Sequence, residues 1–529
     1  MNDHVRSDEK TLFGAAINPP VFFGSLIILL LIIGATIFIG EPAEEIFAKA
    51  QRSISDATGW FFILLVNLLL FFLVFLAFSK FGNIRLGGKK ATPDFSRASW
   101  FAMLFSAGMG IGLVFWGVAE PISHFNYNPF VDNTDSVASA KSAMGFTFLH
   151  YGIHAWSIYT MVALALAFFT FNLHLPLTIR SVFYPLFGNR IYGRLGDFID
   201  IISVIATVVG LATSLGMGAQ QVNAGMEYLF GIEYSRIAQI IIIVIITVFA
   251  TGSLLAGLDK GIRRLSEVNM GLAIVLLAFV IVIGPTAYLM EGFVQNIGYY
   301  IDNFFKLGMW TESYSGVHDN SDWQNNWTVF YYAWWIAWSP FVGIFIARVS
   351  KGRTIREFIT GVLLVPTILT FLWMSVFGGS ALFYELMGDH SISEAVNTNL
   401  PTAFFILLEK FPLVTISSGL SVILVASFFV TSSDSGSMVV DTLTSGGRHD
   451  APKIQKIFWA AMEGATASVL LLYGGLTALQ SATTITGLAF AFILVVMTIS
   501  FYLSLVGYYE KHYIKSKHRN IPEETARKE

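Results

Sequence analysis

Residues 21–40 read VFFGSLIILLLIIGATIFIG, twenty positions without a charge. A helix rises about 1.5 Å per residue, so such a stretch crosses the roughly 30 Å hydrocarbon core of a bilayer. Blocks of the same kind follow at roughly 60–79, 98–119, 143–170, 198–230, 237–256, 268–290, 327–347, 358–384, 412–440, 455–473 and 477–508. The pattern predicts an all-α polytopic membrane protein with about twelve transmembrane helices. Barrel strands would alternate in polarity and be about ten residues long. Several blocks are longer than about 25 residues, so tilt or kinks are expected.

The rest of the chain agrees. Of 529 residues, 55% are hydrophobic and 13% charged, about half the charge of a soluble domain. That excludes a soluble enzyme and a disordered scaffold. The net charge of -3 leaves no basic surface for nucleic acid. Without Cys there is no disulfide, thiol catalyst or Cys-based metal site. Residues 1–20 are polar, of mixed charge, and end in Pro19-Pro20. The block after them is too long for a signal-peptide core and lacks a small-residue cleavage site. It reads as a retained span behind a cytoplasmic N-terminal segment.

Orientation follows from Lys and Arg. The segments 1–20, 78–97, 171–197, 257–267, 348–357, 442–456 and 510–529 hold 26 of the 32. The opposite side holds Lys49, Arg52, Lys141, Arg236, Lys306 and Lys410. Twelve spans then put both termini in the cytoplasm, and the protein in the plasma membrane. The outer segment 291–326 is acidic, which reads first as solvated loop surface. Its aromatic-rich part, Phe293–Trp310, is expected to lie along the membrane surface.

Two spans carry backbone signals. The third contains Ser106-Ala-Gly108-Met-Gly110-Ile-Gly112, and the eighth contains Ser339-Pro340-Phe-Val-Gly343. Gly and Pro weaken helix interiors. A broken helix survives in lipid only where protein buries it or it lines a cavity. Breaks in matching places of two halves mark the binding site of an inverted-repeat transporter. Small-residue packing and an ordinary proline kink are the plainer readings. On the transporter reading, spans 3–7 and 8–12 form the repeats. The organisation is then 1–20 N-terminal segment, 21–97 two peripheral helices and a loop, and 98–290 first repeat. The segment 291–326 is the extracellular loop, 327–509 the second repeat and 510–529 a short cytoplasmic tail.

The eighth span also carries Phe330, Trp334, Trp338 and Phe341, which recur at helical spacing on one face. Three Trp within five residues exceed what an interfacial belt requires. Ring faces attract a methylated ammonium without asking it for a hydrogen bond. The fourth span adds Tyr151, Trp156 and Tyr159. His150 and His154 share a face of that span, with no HExxH and no acidic neighbour in sequence, so they read as core or pathway histidines. No clustered His/Asp/Glu site is expected, which speaks against an intramembrane enzyme. The tenth span ends in Thr431-Ser-Ser-Asp434-Ser435, hydroxyl-rich enough to help cage a hard monovalent cation. Back-bonding to the helix's own carbonyls is the alternative. Asp434 is expected to cap the helix end or to pair with a cytoplasmic Arg.

The segment Gly108-Met-Gly-Ile-Gly-Leu-Val-Phe-Trp-Gly-Val-Ala-Glu-Pro121 and the segment Ala333-Trp-Trp-Ile-Ala-Trp-Ser-Pro-Phe-Val-Gly343, with Arg348 and Gly352-Arg-Thr-Ile-Arg-Glu-Phe358 after it, resemble the betaine/choline/carnitine transporter family. The likeness runs over nearly the whole chain. It implies the LeuT-like fold of inverted five-helix repeats with two extra N-terminal helices, assembled as a homotrimer. It also implies no cofactor beyond Na+ as coupling ion, and a sodium symporter importing glycine betaine or a similar compatible solute against osmotic stress. Proton-coupled choline carriers of the family hold Asp where this chain has Gly112, and sodium-independent carnitine exchangers hold an Arg in the fifth span. A choline, carnitine or ectoine carrier, proton-coupled or an exchanger, is the alternative.

Carried over by motif, the resemblance implies a substrate box of Trp156, Tyr159, Trp334, Trp335 and Trp338, with Tyr151 and Phe330. The backbone of Gly108, Met109, Gly110 and Gly112 would hold the substrate carboxylate. One sodium would sit among Ser106, Ala107, Met109, Phe428, Thr431 and Ser432. A second would sit near Thr207 and Phe341, although Leu211 stands one turn on from Thr207 where a hydroxyl would help. The tail 510–529 is shorter than the long basic tail with which osmosensing relatives detect stress.

Overall fold

The computed structural model describes residues 10–12, 15–108, 110–131, 134–256, 263–314, 322–448 and 452–514. Apart from a short antiparallel pair, β1 (Lys10–Leu12) with β2 (Ala15–Ile17), the described residues are helical, and ten helices are long and apolar enough to cross a membrane.

Helix α1 (Pro19–Ile39) begins on the Pro19-Pro20 pair, whose fixed φ and missing N–H suit a first turn. It is apolar all round and largely exposed, as a lipid-facing helix must be. Helix α2 (Ala43–Phe78) starts far earlier than its apolar block at 60–79. Glu44 and Glu45 stand in its first turn, where the helix dipole favours acids, and Lys49 pairs with Glu45 at 2.7 Å. Hydropathy alone does not reveal such a polar extension.

The third span is broken into α3 (Arg97–Gly108) and α4 (Ile111–Asn126). The fourth is broken as well, into α5 (Ser136–Tyr151) and α6 (Ile153–Phe171). At the joint, a Cβ on Gly152 would stand 2.3 Å from the Phe148 carbonyl oxygen and 2.8 Å from the Phe371 ring. Helices α7 (Arg194–Phe230), α8 (Arg236–Ala256) and α9 (Arg263–Ile283) follow. Helix α10 (Thr286–Asp302) takes in the first part of the aromatic-rich segment, and a short turn at Phe304–Gly308 follows it. Helix α10 packs on α5 and α6: Tyr299 lies where a side chain on Gly145 would go, and Tyr300 Oη lies 3.0 Å from His154 Nδ1.

Helix α11 (Phe330–Val349) corrects one expectation, for it runs unbroken through Pro340. Proline leaves the carbonyl four residues earlier without its N–H partner. Here the Ser339 hydroxyl donates to that oxygen, on Ile336, at 2.7 Å. The irregular backbone lies before the helix, in a π-turn at Asn325–Val329. Helices α12 (Ile355–Leu386) and α13 (Val414–Thr444) complete the interior. The last helix, α14 (Lys453–Tyr509), has 57 residues, about 85 Å if straight. It turns at Gly475, where φ 58 and ψ -153 are open only to glycine at low cost.

The interior is unusually aromatic. Trp100, Trp334, Trp459, Tyr159, Tyr331 and Tyr332 are all fully buried. Exposed apolar residues such as Leu31, Phe38, Val248 and Phe249 lie on the outer helices α1 and α8.

Candidate functional site

The broken third span points its second half at a cavity. Gly110 caps α4 with no side-chain partner, and its extended backbone (φ -149, ψ -159) turns the chain into the helix. The first amides of α4 and the positive end of its dipole therefore face the break. The cavity there is lined by Gly110, Gly112 and Leu113 of α4, Tyr151 of α5, and Ala155, Trp156 and Tyr159 of α6. Trp334, Trp335 and Trp338 of α11, Ser214 of α7 and Thr370 of α12 close it. Its free volume is about 20 Å³, room for little more than one water molecule. A larger cavity of about 530 Å³ lies elsewhere, among Phe125, Asn126, Glu385 and Glu394. It is more open, and Phe125 is the single apolar ring that lines it.

The rings around the small cavity meet at sharp angles. Trp335 stands edge-on to Tyr151 and Tyr159, with centroids 5.5 and 5.9 Å apart. Trp156 is edge-on to Tyr159 at 5.5 Å, and Trp338 to Trp334 at 6.3 Å. Trp334 and Trp335 stack at 4.9 Å with 11° between their planes. Phe330 does not line the cavity: it stacks behind Trp334 at 5.7 Å. Among the described residues, Nε1 of Trp334, Nε1 of Trp338 and Oη of Tyr159 are buried without a hydrogen-bond partner. Three unmet polar groups on the residues of one cavity call for a ligand with acceptors.

Gly108 ends α3, Met109 lies outside the described residues, and nothing is described of the side chains of Ser106 and Ala107. Of the other cation candidates, Ser432 stands across from Gly110, its Oγ 3.6 Å from where a Cβ would be. Thr431, about 100° round the helix, donates to the Ser427 carbonyl at 2.8 Å and accepts from Asn269 Nδ2 at 2.8 Å. Phe428 is partly buried in the core. Thr207 donates back to the Ser203 carbonyl at 2.7 Å, and Phe341 meets Trp338 edge-on at 5.6 Å. Asp434 is not a helix cap. Helix α13 continues ten residues past it, and the Ser253 hydroxyl donates to its Oδ2 at 2.6 Å.

The expectation of no acidic partner for the histidines is corrected. Glu120, on the neighbouring helix α4, hydrogen-bonds His150 Nδ1 at 2.6 Å and stands 3.3 Å from His124 Nε2. All three are completely buried. Thirty residues separate Glu120 from His150, so spacing within one helix could not reveal the cluster. Leu113, Ala155, Ser214 and Thr370 were also missed as lining residues, since nothing in an apolar helix marks which small or hydroxyl side chain meets a cavity.

Residues 20–508 match the family model described as BCCT, betaine/carnitine/choline family transporter. The chain belongs to that family. A glycine betaine/proline/choline transporter of Vibrio parahaemolyticus is 45% identical, over 92% of this chain and 90% of its own. A glycine betaine transporter of Bacillus subtilis is 45% identical, over 88% and 90%. A further glycine betaine transporter of Vibrio parahaemolyticus is 44% identical, over 95% and 96%. This betaine/carnitine/choline family member is accordingly a membrane transporter of small quaternary-ammonium solutes and not an enzyme.

Proposed function

We propose that this chain is a plasma-membrane importer of glycine betaine or a close compatible solute, driven by sodium symport and serving osmotic protection. The observation that carries the reading is the ring-walled cavity at the α3/α4 break. Its ring faces suit a trimethylammonium group. The unpartnered N–H groups of Trp334 and Trp338, with the free amides of α4, suit a carboxylate. A zwitterion uses both and choline only the first. That favours betaine over choline, which the Vibrio relative's name also includes. Proline and ectoine, named for relatives, are zwitterions as well, and a competition series ranks them.

In this reading the substrate site comprises Trp156, Tyr159, Trp334, Trp335, Trp338 and Tyr151, with the backbone of Gly108–Gly112. Phe330 supports Trp334 from behind. Sodium would be held by Ser432 with carbonyls of the α3/α4 break and of the Phe428 turn, Thr431 joining after release from Asn269. A second ion near Thr207 and Phe341 belongs to the same proposal. Sodium orders the break and α13 together and so completes the cavity. Coupling arises because both ligands favour that ordered conformation. At about 20 Å³ the cavity as it stands admits no trimethylammonium group, so binding includes its widening.

Counting the α3/α4 and α5/α6 pairs as one span each, splitting α14 at Gly475 and leaving out the surface helix α10 gives twelve helices. Two extra helices then precede two five-helix repeats of the LeuT-like kind, 98–290 and 327–509. The Lys and Arg bias keeps both termini cytoplasmic, and the family resemblance suggests a homotrimer. The test is uptake of labelled glycine betaine into liposomes with an inward sodium gradient, against potassium at equal osmolality. Accumulation that needs sodium is expected. Uptake indifferent to that exchange would refute symport and remove the cation sites.

A further inference from the structure

We propose that Glu120 is a positioning residue for the cavity, acting through Tyr331 and Tyr151. The inference rests on the reading of that cavity as the substrate site.

Glu120 sits on α4 beyond the break, fully buried and away from the cavity wall. The Tyr331 hydroxyl donates to its Oε2 in a short hydrogen bond. Tyr331 Oη lies 3.3 Å from Tyr151 Oη, and Tyr151 Oη donates to the Gly112 carbonyl at 3.2 Å. Tyr151 and Gly112 both line the cavity. The chain of hydroxyls thus leaves α4 at Glu120, crosses α11 and α5, and returns to the first turn of α4. That first turn is the part of α4 which the break leaves without a covalent helical neighbour.

The direction of the protons gives Glu120 its role. Tyr331 has one hydrogen and gives it to Glu120, so toward Tyr151 it offers only its oxygen. The Tyr151 hydrogen then points to the Gly112 carbonyl and Tyr331, away from the ligand space. Glu120 can impose this order because three groups hold its carboxyl: Tyr331 Oη at Oε2, with His150 Nδ1 and His124 Nε2 both at Oε1. His150 is fixed in turn by Thr328 Oγ1, 2.9 Å from its Nε2. Three ligand atoms of Glu120, His124 and His150 lie within 4.8 Å of one another, a spacing that a metal ion could use.

An amide in place of the carboxylate must turn its NH2 toward one of these donors. The proton order then reverses, and Tyr151 and the Gly112 carbonyl lose their fixed relation. Glu120→Gln is therefore expected to raise the KM for glycine betaine about tenfold with Vmax within about twofold. Tyr151→Phe is expected to do the same. Because the route is in series, Glu120→Gln/Tyr151→Phe should match Tyr151→Phe alone within about twofold. Multiplying effects in the double variant, or an unchanged KM with lost Vmax, would overturn the proposal. If Glu120→Gln does not fold, Tyr331→Phe with Tyr151→Phe gives the same cycle. Wild type in the same liposomes separates the two readings. No uptake by wild type removes the proposed function and this inference with it, whereas normal wild-type uptake with the wrong cycle removes the inference alone.

Discussion

Adding a single methyl group at Gly112 tests the cavity most directly. An ideal Cβ there would stand 2.9 Å from Trp334 Cη2, 3.5 Å from Cζ3 and 3.7 Å from Tyr151 Oη. Carbon contacts settle at about 3.5–4.0 Å, so the Trp334 ring must retreat by roughly 0.6 Å or more. It has nowhere easy to go. Trp335 stacks near one side of it at 4.9 Å, and Phe330 stacks behind it at 5.7 Å. Forcing one methyl into such packing costs about 1–3 kcal/mol. If the ring yields into the cavity, the cost falls on the ligand, and Gly112→Ala weakens glycine betaine uptake about 5- to 150-fold in KM. If the helix yields instead, the melting temperature drops and KM does not. The two are separated by measuring KM in liposomes and thermal unfolding in detergent on one preparation. A variant with wild-type KM and wild-type melting temperature would refute the packing argument. It would also remove Trp334 from the cavity wall.

Three further outcomes follow from separate features. Trp338→Leu keeps the fold but loses a ring face, so KM for glycine betaine rises by about 2- to 30-fold, read by uptake kinetics. Ser339→Ala strands the Ile336 carbonyl and lowers stability by about 1–3 kcal/mol, visible as a lower melting temperature with little change in KM. Outside the membrane helices, Lys410 pairs with Asp389 at 2.5 Å; the Lys410 ammonium, then the Ser391 hydroxyl, hold the Asp389 carboxyl down to about 2. A depressed carboxyl contributes stability above its unfolded value of about 3.9 and loses it as pH falls through about 2. Lys410→Met should therefore lower the melting temperature slightly at neutral pH and much less at pH about 2; an equal shift at both pH values would rule the pair out.

The class of fold was legible because a bilayer allows few solutions. A run such as 21–40 has only one stable use, and the helices arose where the apolar blocks lay. The α3/α4 break was legible because three glycines in seven residues have no reason to sit in a simple span. The Trp face of α11 was legible from its period. What stayed hidden was contact between segments far apart in sequence. Nothing in the sequence around Glu120 shows that α5 brings His150 to it. Pro340 misled in the opposite direction, since a proline announces a missing hydrogen bond but not the serine hydroxyl that replaces it. Thr431 and Ser432 read as a pair, yet neighbouring positions on a helix diverge. One meets the α3/α4 break and the other meets Asn269.

That serine has a mechanical consequence. A helix bends where its ladder of hydrogen bonds is open, and at Ile336 the ladder has been closed by a side chain. Helix α11 is therefore expected to carry its three indoles as one body. Helix α4, which begins at Ile111, lies against those indoles at Gly112. Any opening of the cavity is then one-sided: the indoles keep their mutual spacing, and the first turn of α4 moves against them. Spectroscopic distance labels along α11 would hold constant through the cycle, while a pair from α11 to the first turn of α4 would not.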